Sequence, residues 1–188
     1  FNDLPYDGAF IAHLKNINYE AKNTSNLQDD TVNEMYGTIG YLSSVDLIKR
    51  DNQNTSHFLR PKLLLKYAPN HMKKNNDTND SLFRKNIFDL DRVNSSLNFE
   101  GGSSLTYGVE YEAAVTNDKK FNFSIGQIIN EKKNNKNMPN SSSLDKRFSD
   151  VVGNLKYTNN DNFNLNYNYV LDRKFGEMNY SGIDARYT

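Results

Sequence analysis

Three histidines, His13, His57 and His71, are the only imidazoles in the chain, and they share no spacing that would gather a metal ion. They read as surface or loop histidines. With no cysteine, disulfide frameworks and thiolate metal sites are excluded. Neither a Gly-x-Ser-x-Gly elbow nor a phosphate loop occurs. A hydrolase needs a nucleophile beside a positioned base. No such pair stands out, so the chain reads as non-catalytic and without a cofactor. The segment Glu100-Gly101-Gly102 invites a ligand-binding reading, but strand glycines more often mark a bend, a bulge or a close neighbour. Asn23-Thr24-Ser25 and Asn94-Ser95-Ser96 match glycosylation acceptors, as chance allows in a chain this rich in asparagine. What remains is the chemistry of surfaces: charged groups that recur at alternate positions, and the pair Asp91-Arg92 in a long connection.

Those groups need elements to hold them. The 188 residues suffice for one domain. Basic and acidic residues balance at 23 each, which argues against a nucleic-acid binder that works by neutralising phosphates. Hydrophobic content is only 36%, yet there are 12 Tyr and 11 Phe, and disordered chains are poor in aromatics. Such a composition suits many strands that each bury one thin face. The chain opens FNDLPYDG, with neither Met nor a basic-then-apolar leader, and reads as a piece of something longer. No apolar run is long enough for a membrane-spanning helix, but barrel strands escape that test because half their residues are polar.

Period two dominates the chain. From Ser96 to Val115, Leu97, Phe99, Leu105, Tyr107, Val109 and Tyr111 alternate with Asn98, Glu100, Ser104, Thr106, Glu110 and Glu112. Leu59, Leu63, Leu65 and Tyr67 alternate with Arg60, Lys62 and Lys66. Phe121, Phe123 and Ile125 alternate with Asn122 and Ser124. Phe163, Leu165, Tyr167 and Tyr169 alternate with Asn162, Asn164, Asn166 and Asn168. Another run covers Met35 to Leu47, with weaker strands over Ala9 to Ala21, Asp150 to Tyr157 and Met178 to Tyr187. The count is about eight strands and no helix. Short turns at Asn117 to Lys120 and Asn159 to Asp161 alternate with long connections at Pro69 to Ser95 and Glu131 to Ser149. Outer-membrane barrels show this alternation. The link Arg173 to Glu177 is short where the pattern requires a long one.

Period alone leaves two readings open: a soluble sandwich with its apolar register in a core, or a membrane barrel with that register in lipid. Strand length favours the barrel, since about 9–11 tilted residues cross the hydrocarbon. So do aromatics placed toward strand ends (Tyr67, Phe99, Tyr107, Tyr111, Tyr169) and charges confined to the polar register.

Particular words narrow this further. "FLRPKLLLKYAPNHMKK" from Phe58, "NIFDLDRVNSS" from Asn86, "EGGSSLTYGVEY" from Glu100 and "KKFNFSIGQIINEK" from Lys119 occur in this order, followed by "SSSLDKRFSDVVGNLKY" from Ser141. Together they resemble the barrel domain of the LptD family, lipopolysaccharide-assembly proteins of the outer membrane, also called organic solvent tolerance proteins. The resemblance is close over 58–188 and loose over the first fifty residues.

The resemblance implies an all-β fold: an antiparallel up-and-down transmembrane barrel segment of about eight strands, cut from a barrel of about 26. Residues 1–188 would belong to that single barrel domain, without the family's periplasmic jelly roll. The implied localisation is the bacterial outer membrane. The implied function is a share in the translocon that inserts lipopolysaccharide into the outer leaflet. Implied partners are lipopolysaccharide, an LptE-like lipoprotein plug, an LptA-like periplasmic bridge reached through the missing N-terminal domain, and outer-membrane lipid; nucleic acid is not among them. Lys62, Lys66, Asn98, Glu100, Thr106, Glu110, Glu112, Asn122, Asn164 and Asn166 would face the lumen, with the lysines offering charge to phosphates. Leu63, Leu65, Tyr67, Leu97, Phe99, Leu105, Tyr107, Val109, Tyr111, Phe121, Phe123, Ile125, Leu165, Tyr167 and Tyr169 would face lipid. Asp91 and Arg92 would make a loop salt bridge or capping contact that folds the loop over the barrel mouth. The alternatives are a generic porin-like or adhesin-like barrel and a soluble β-sandwich binding module.

Overall fold

The structure is a computed structural model that describes residues 5–22, 31–51, 55–69, 82–93, 98–115, 119–160 and 162–188. Each alternating run becomes a strand. In chain order these are β1 (Tyr6–Glu20), β2 (Thr31–Val45), β3 (Leu47–Arg50), β4 (Ser56–Ala68), β5 (Gly102–Ala114), β6 (Lys119–Asn130), β7 (Val151–Asn159), β8 (Phe163–Leu171) and β9 (Met178–Tyr187). All pair antiparallel in one sheet ordered β1-β2-β4-β5-β6-β7-β8-β9, with β3 also on β4. The order never crosses over, so the sheet is an up-and-down meander with open edges at β1 and β9, as in a segment of a barrel wall. Apart from a 3-10 turn at Asn140–Ser142, the described residues hold no helix.

β2 and β3 are one strand interrupted once. Ser44 faces Lys62 and Leu47 faces Leu59, so the register carries across the gap. The gap lies opposite Arg60 and Pro61, while pairing from β4 to β5 runs through Pro61 unbroken. Proline lacks the N–H that a ladder on that side requires. Arg60 closes the gap with its side chain by donating to both Asp46 carboxylate oxygens.

Register makes the two faces continuous. Leu47, Leu59, Tyr111, Phe123, Leu155, Tyr167 and Ile183 stand side by side in one row across the sheet. Phe10, Tyr41, Leu65, Leu105 and Ile129 form another on the same face. The row next to the first, away from the second, belongs to the opposite face and reads Phe58, Glu112, Asn122, Lys156, Asn166 and Asp184. A one-residue slip in any strand would exchange its faces, so the alternation pins the register.

Connections sort by end. Those over 21–30, 69–101, 131–150 and 172–177 leave one end of the sheet; those over 51–55, 115–118 and 160–162 leave the other. The 172–177 link stays short because the Asp172 carboxylate accepts backbone N–H groups of Lys174, Gly176 and Glu177 and closes the turn on itself.

Alternation misleads at the start of the β5 run. The strand begins at Gly102, not near Ser96, and residues 98–101 lie outside the sheet. Gly102 has φ +95, a left-handed value that turns the chain away from the wall. The expected bend at the glycine pair is therefore present, and it ends the strand.

Candidate functional site

The apolar face is bare. Phe10, Leu14, Ile39, Leu65, Tyr67 and Ile183 all expose half or more of their surface on it. Leu63, Tyr107 and Phe121 are exposed there too, and Leu105, Val109, Tyr111, Phe123, Ile125, Leu165 and Tyr167 are half-buried. Tyr169 shares this face but is buried, because it lies flat over Gly153, where a Cβ would come within 2.2 Å of its hydroxyl. Tyr107 sits in the middle of β5 rather than toward its end, and hydrogen-bonds Gln127. Apolar patches this extensive mark a contact surface.

Phe99 is not on that face. It precedes the strand, is fully buried, and stacks on Tyr36 at 5.6 Å with the His13 ring edge at 5.7 Å. Once Gly102 turns the chain off the wall, the alternation upstream no longer refers to the sheet, and Phe99 packs with Ile17, Tyr36 and Ala68 against the opposite face. Leu97 lies outside the described residues, as does His71.

The polar face carries a layer of its own. Residues 82–93 and 98–101, here called the strap, fold back across it from the long-connection end. Leu82, Ile87 and Val93 join Met138 and Leu144 of the 131–150 connection, and together they bury Ile128, Val152 and Val170 of the wall. Leu64 and Ile128 are apolar residues in otherwise polar registers, and both are fully buried. Strap and wall thus form a small core on the side the sequence assigned to water.

Asp91 and Arg92 do not pair with each other. Arg92 donates to Glu100 through its backbone N–H at 3.1 Å, through Nε at 2.7 Å and through a terminal nitrogen. Its other donors reach Thr106 Oγ1 at 3.3 Å and Ser104 Oγ at 3.0 Å on β5. Lys66 Nζ of β4 lies 3.1 Å from Glu100 Oε1. Asp91 accepts from the Glu100 backbone N–H at 3.1 Å and pairs with Lys15 Nζ of β1 at 3.3 Å. Lys15 also donates to the Asn98 carbonyl at 2.7 Å. Burial would raise the Glu100 carboxyl, but the Arg92 guanidinium and the Lys66 ammonium hold it down to about 2. The strap is thereby tied to β1, β4 and β5.

Of the residues read as lumen lining, Lys66 and Thr106 are therefore buried under the strap, and Asn98 and Glu100 belong to the strap itself. The reason is again the turn at Gly102. Lys62, Glu110, Glu112, Asn122, Asn164 and Asn166 stand on the polar face, half-buried. Lys62 bridges Glu110 at 2.8 Å, Asn122 donates to Glu112 at 2.6 Å, and Arg84 reaches Glu110 at 3.2 Å and Ser124 at 2.9 Å. An open groove of about 380 Å³ is bordered by Arg60, Arg84, Glu110, Glu112, Asn122 and Asn154. Beside it Asn154 donates to Asn166 at 2.6 Å and to Asn168 at 3.0 Å. Such a surface offers hydrogen bonds and paired charge.

The strap's apolar anchors went unread in the sequence, although two signals were there. Ile87, Leu90 and Val93 recur every third residue in a supposed loop, and Leu64 and Ile128 interrupt polar registers.

A meandering antiparallel sheet with one bare apolar face, one hydrophilic face and long connections at a single end belongs to the class of large β-barrel walls. The family model "LptD: LPS transport system D" matches residues 10–188. The chain belongs to that family, which ties it to lipopolysaccharide transport. No curated protein matches it. No helix among the described residues is long and apolar enough to cross a membrane, which says nothing about strands.

Proposed function

We propose that the chain forms part of the wall of an outer-membrane translocon that inserts lipopolysaccharide into the outer leaflet. The observation that carries this is the apolar face, continuous in register from β1 to β9 and uncovered, in a chain of the LptD family. In this reading that face meets lipid and the polar face meets the lumen. Lipopolysaccharide joins acyl chains to an anionic saccharide, so its passage needs a wet path for the sugar. The groove beside Glu110, Glu112 and Asn122 and the asparagine ladder beyond it supply hydrogen-bonding groups along such a path. An LptE-like plug would contact the same face, and an LptA-like bridge would dock on a periplasmic domain outside this chain. The wall positions and solvates cargo, and no bond-making step is assigned to it.

Depleting the parent protein in its native cells tests this. Surface lipopolysaccharide should fall while the inner-membrane pool rises. Normal surface lipopolysaccharide after depletion would sink the translocon reading and leave a generic barrel.

A further inference from the structure

The wall beneath the strap is shaped to receive it. A Cβ on Gly126 would lie 2.9 Å from Ile87 Cδ1, one on Gly40 2.6 Å from Leu90 Cδ2, and one on Gly108 3.1 Å from Phe88 Cζ. All three glycines occupy the polar register, so three strap side chains seat where the wall has none. A Cβ at Gly126 or Gly40 would press on the ends of Ile87 and Leu90, and a branched side chain there would compete with them for the slot. The strap's anchors differ in strength. Arg84 is half exposed, and such pairs contribute little. Glu100, Arg92 and Lys66 are buried, and removing one partner there strands the others. Just past Glu100 the chain turns at Gly102, which has open space around it.

We propose that the strap is a resident closure over the polar face, held by the Glu100, Arg92 and Lys66 latch and by the Gly40, Gly108 and Gly126 slots, and that it lifts about Gly102 when the latch is broken. This rests on the barrel reading above. While the strap is down, Lys66 and Thr106 are sealed from polar cargo, which meets the open part of the face around Glu110, Asn122 and Asn154. Lifting the strap would roughly restore the lining that alternation alone describes.

The full-length protein carrying Leu64→Cys, at a fully buried position of the polar register outside the latch, kept in its membrane, tests the closure with a membrane-impermeant maleimide. Protein without the substitution gives the blank. With the latch intact, labelling is slow. Glu100→Gln and Arg92→Lys each raise the rate about tenfold or more, because a broken buried ion pair shifts a closed-to-open ratio by on the order of a hundredfold, and Gly126→Val raises it too, because its side chain takes the slot that Ile87 fills. Arg84→Gln leaves the rate within about twofold, as an exposed pair should. Heat-dependent gel mobility shows which variants are folded. If Glu100→Gln does not fold, Gly126→Val, which changes no charge, and Arg92→Lys carry the test. Folded variants that label no faster than the latched protein overturn the proposal, and so does fast labelling with the latch intact. Protein recovered in the soluble fraction would instead overturn the barrel reading, while membrane-embedded protein with slow labelling in every folded variant would overturn the closure alone.

Discussion

Glu100 concentrates the electrostatics of this chain on one carboxylate. It accepts three hydrogen bonds from Arg92 and lies beside the Lys66 ammonium, all of them out of water. A buried pair of this kind adds little net stability over apolar residues of the same shape, but breaking it costs about 3–5 kcal/mol. The sign of its pH dependence follows from a folded-state pKa of about 2, below the ordinary carboxylate value. A depressed pKa contributes stability that is complete above the unfolded value and is lost as pH falls through the folded one. Protease protection of the strap should therefore hold at and above about pH 5 and fade between about pH 4.5 and 2. In Glu100→Gln that acid dependence should vanish, with protection already low at neutral pH. Unchanged protection of wild-type protein down to pH 2 would contradict this assignment.

At the scale of elements, the strands were legible because their determinants are local. Side chains alternate faces with period two, so Leu63, Leu65 and Tyr67, or Phe121, Phe123 and Ile125, disclose a face without any long-range information. β9 covers the predicted residues Met178 to Tyr187, β4 differs from its predicted span mainly at the ends, and the single predicted run Met35 to Leu47 crosses the break between β2 and β3. Where determinants are non-local, the reading failed. Alternation from Asn98 into β5 is genuine in sequence, and the glycine pair signals a bend, but nothing nearby says that Gly102 turns residues 98–101 off the wall. Phe99 therefore read as lipid-facing although it fills the cluster with Tyr36 and Ile17. Asp91-Arg92 was recognisable as a special pair in a loop, but its partners are Glu100 beyond the strap's bend and residues of two strands, β1 and β5, and no spacing along the chain encodes them. A direct comparison separates the two kinds of position. Phe99→Ala should destabilise the folded protein by about 3–5 kcal/mol, as expected for a large side chain removed from a packed core. Leu65→Ala, on the bare face, should cost far less in detergent-solubilised protein, read by thermal unfolding. Equal losses would mean that both side chains are in one packed interior.

On the scale of the whole molecule, the account rests on which face of the sheet meets which solvent. An uncovered row from Leu47 to Ile183 is intolerable in water and ordinary in lipid, while a ladder of asparagines and paired charges is the reverse. Open edges at β1 and β9 fit a wall that continues beyond this segment, because unpaired strand edges do not occur in contact with lipid. Single cysteines introduced into the full-length protein test the faces most directly. Sites at Leu65, Tyr111, Phe123, Tyr167 and Ile183 should be quenched by a probe dissolved in the bilayer and resist a water-soluble thiol reagent. Sites at Glu112, Asn122, Lys156 and Asn166 should do the opposite. The pattern should alternate residue by residue along β5 from Val109 to Glu112 and along β8 from Leu165 to Asn168, clear of the strap. Equal access of the water-soluble reagent to both sets, or quenching of Asn166 from the bilayer, would contradict it.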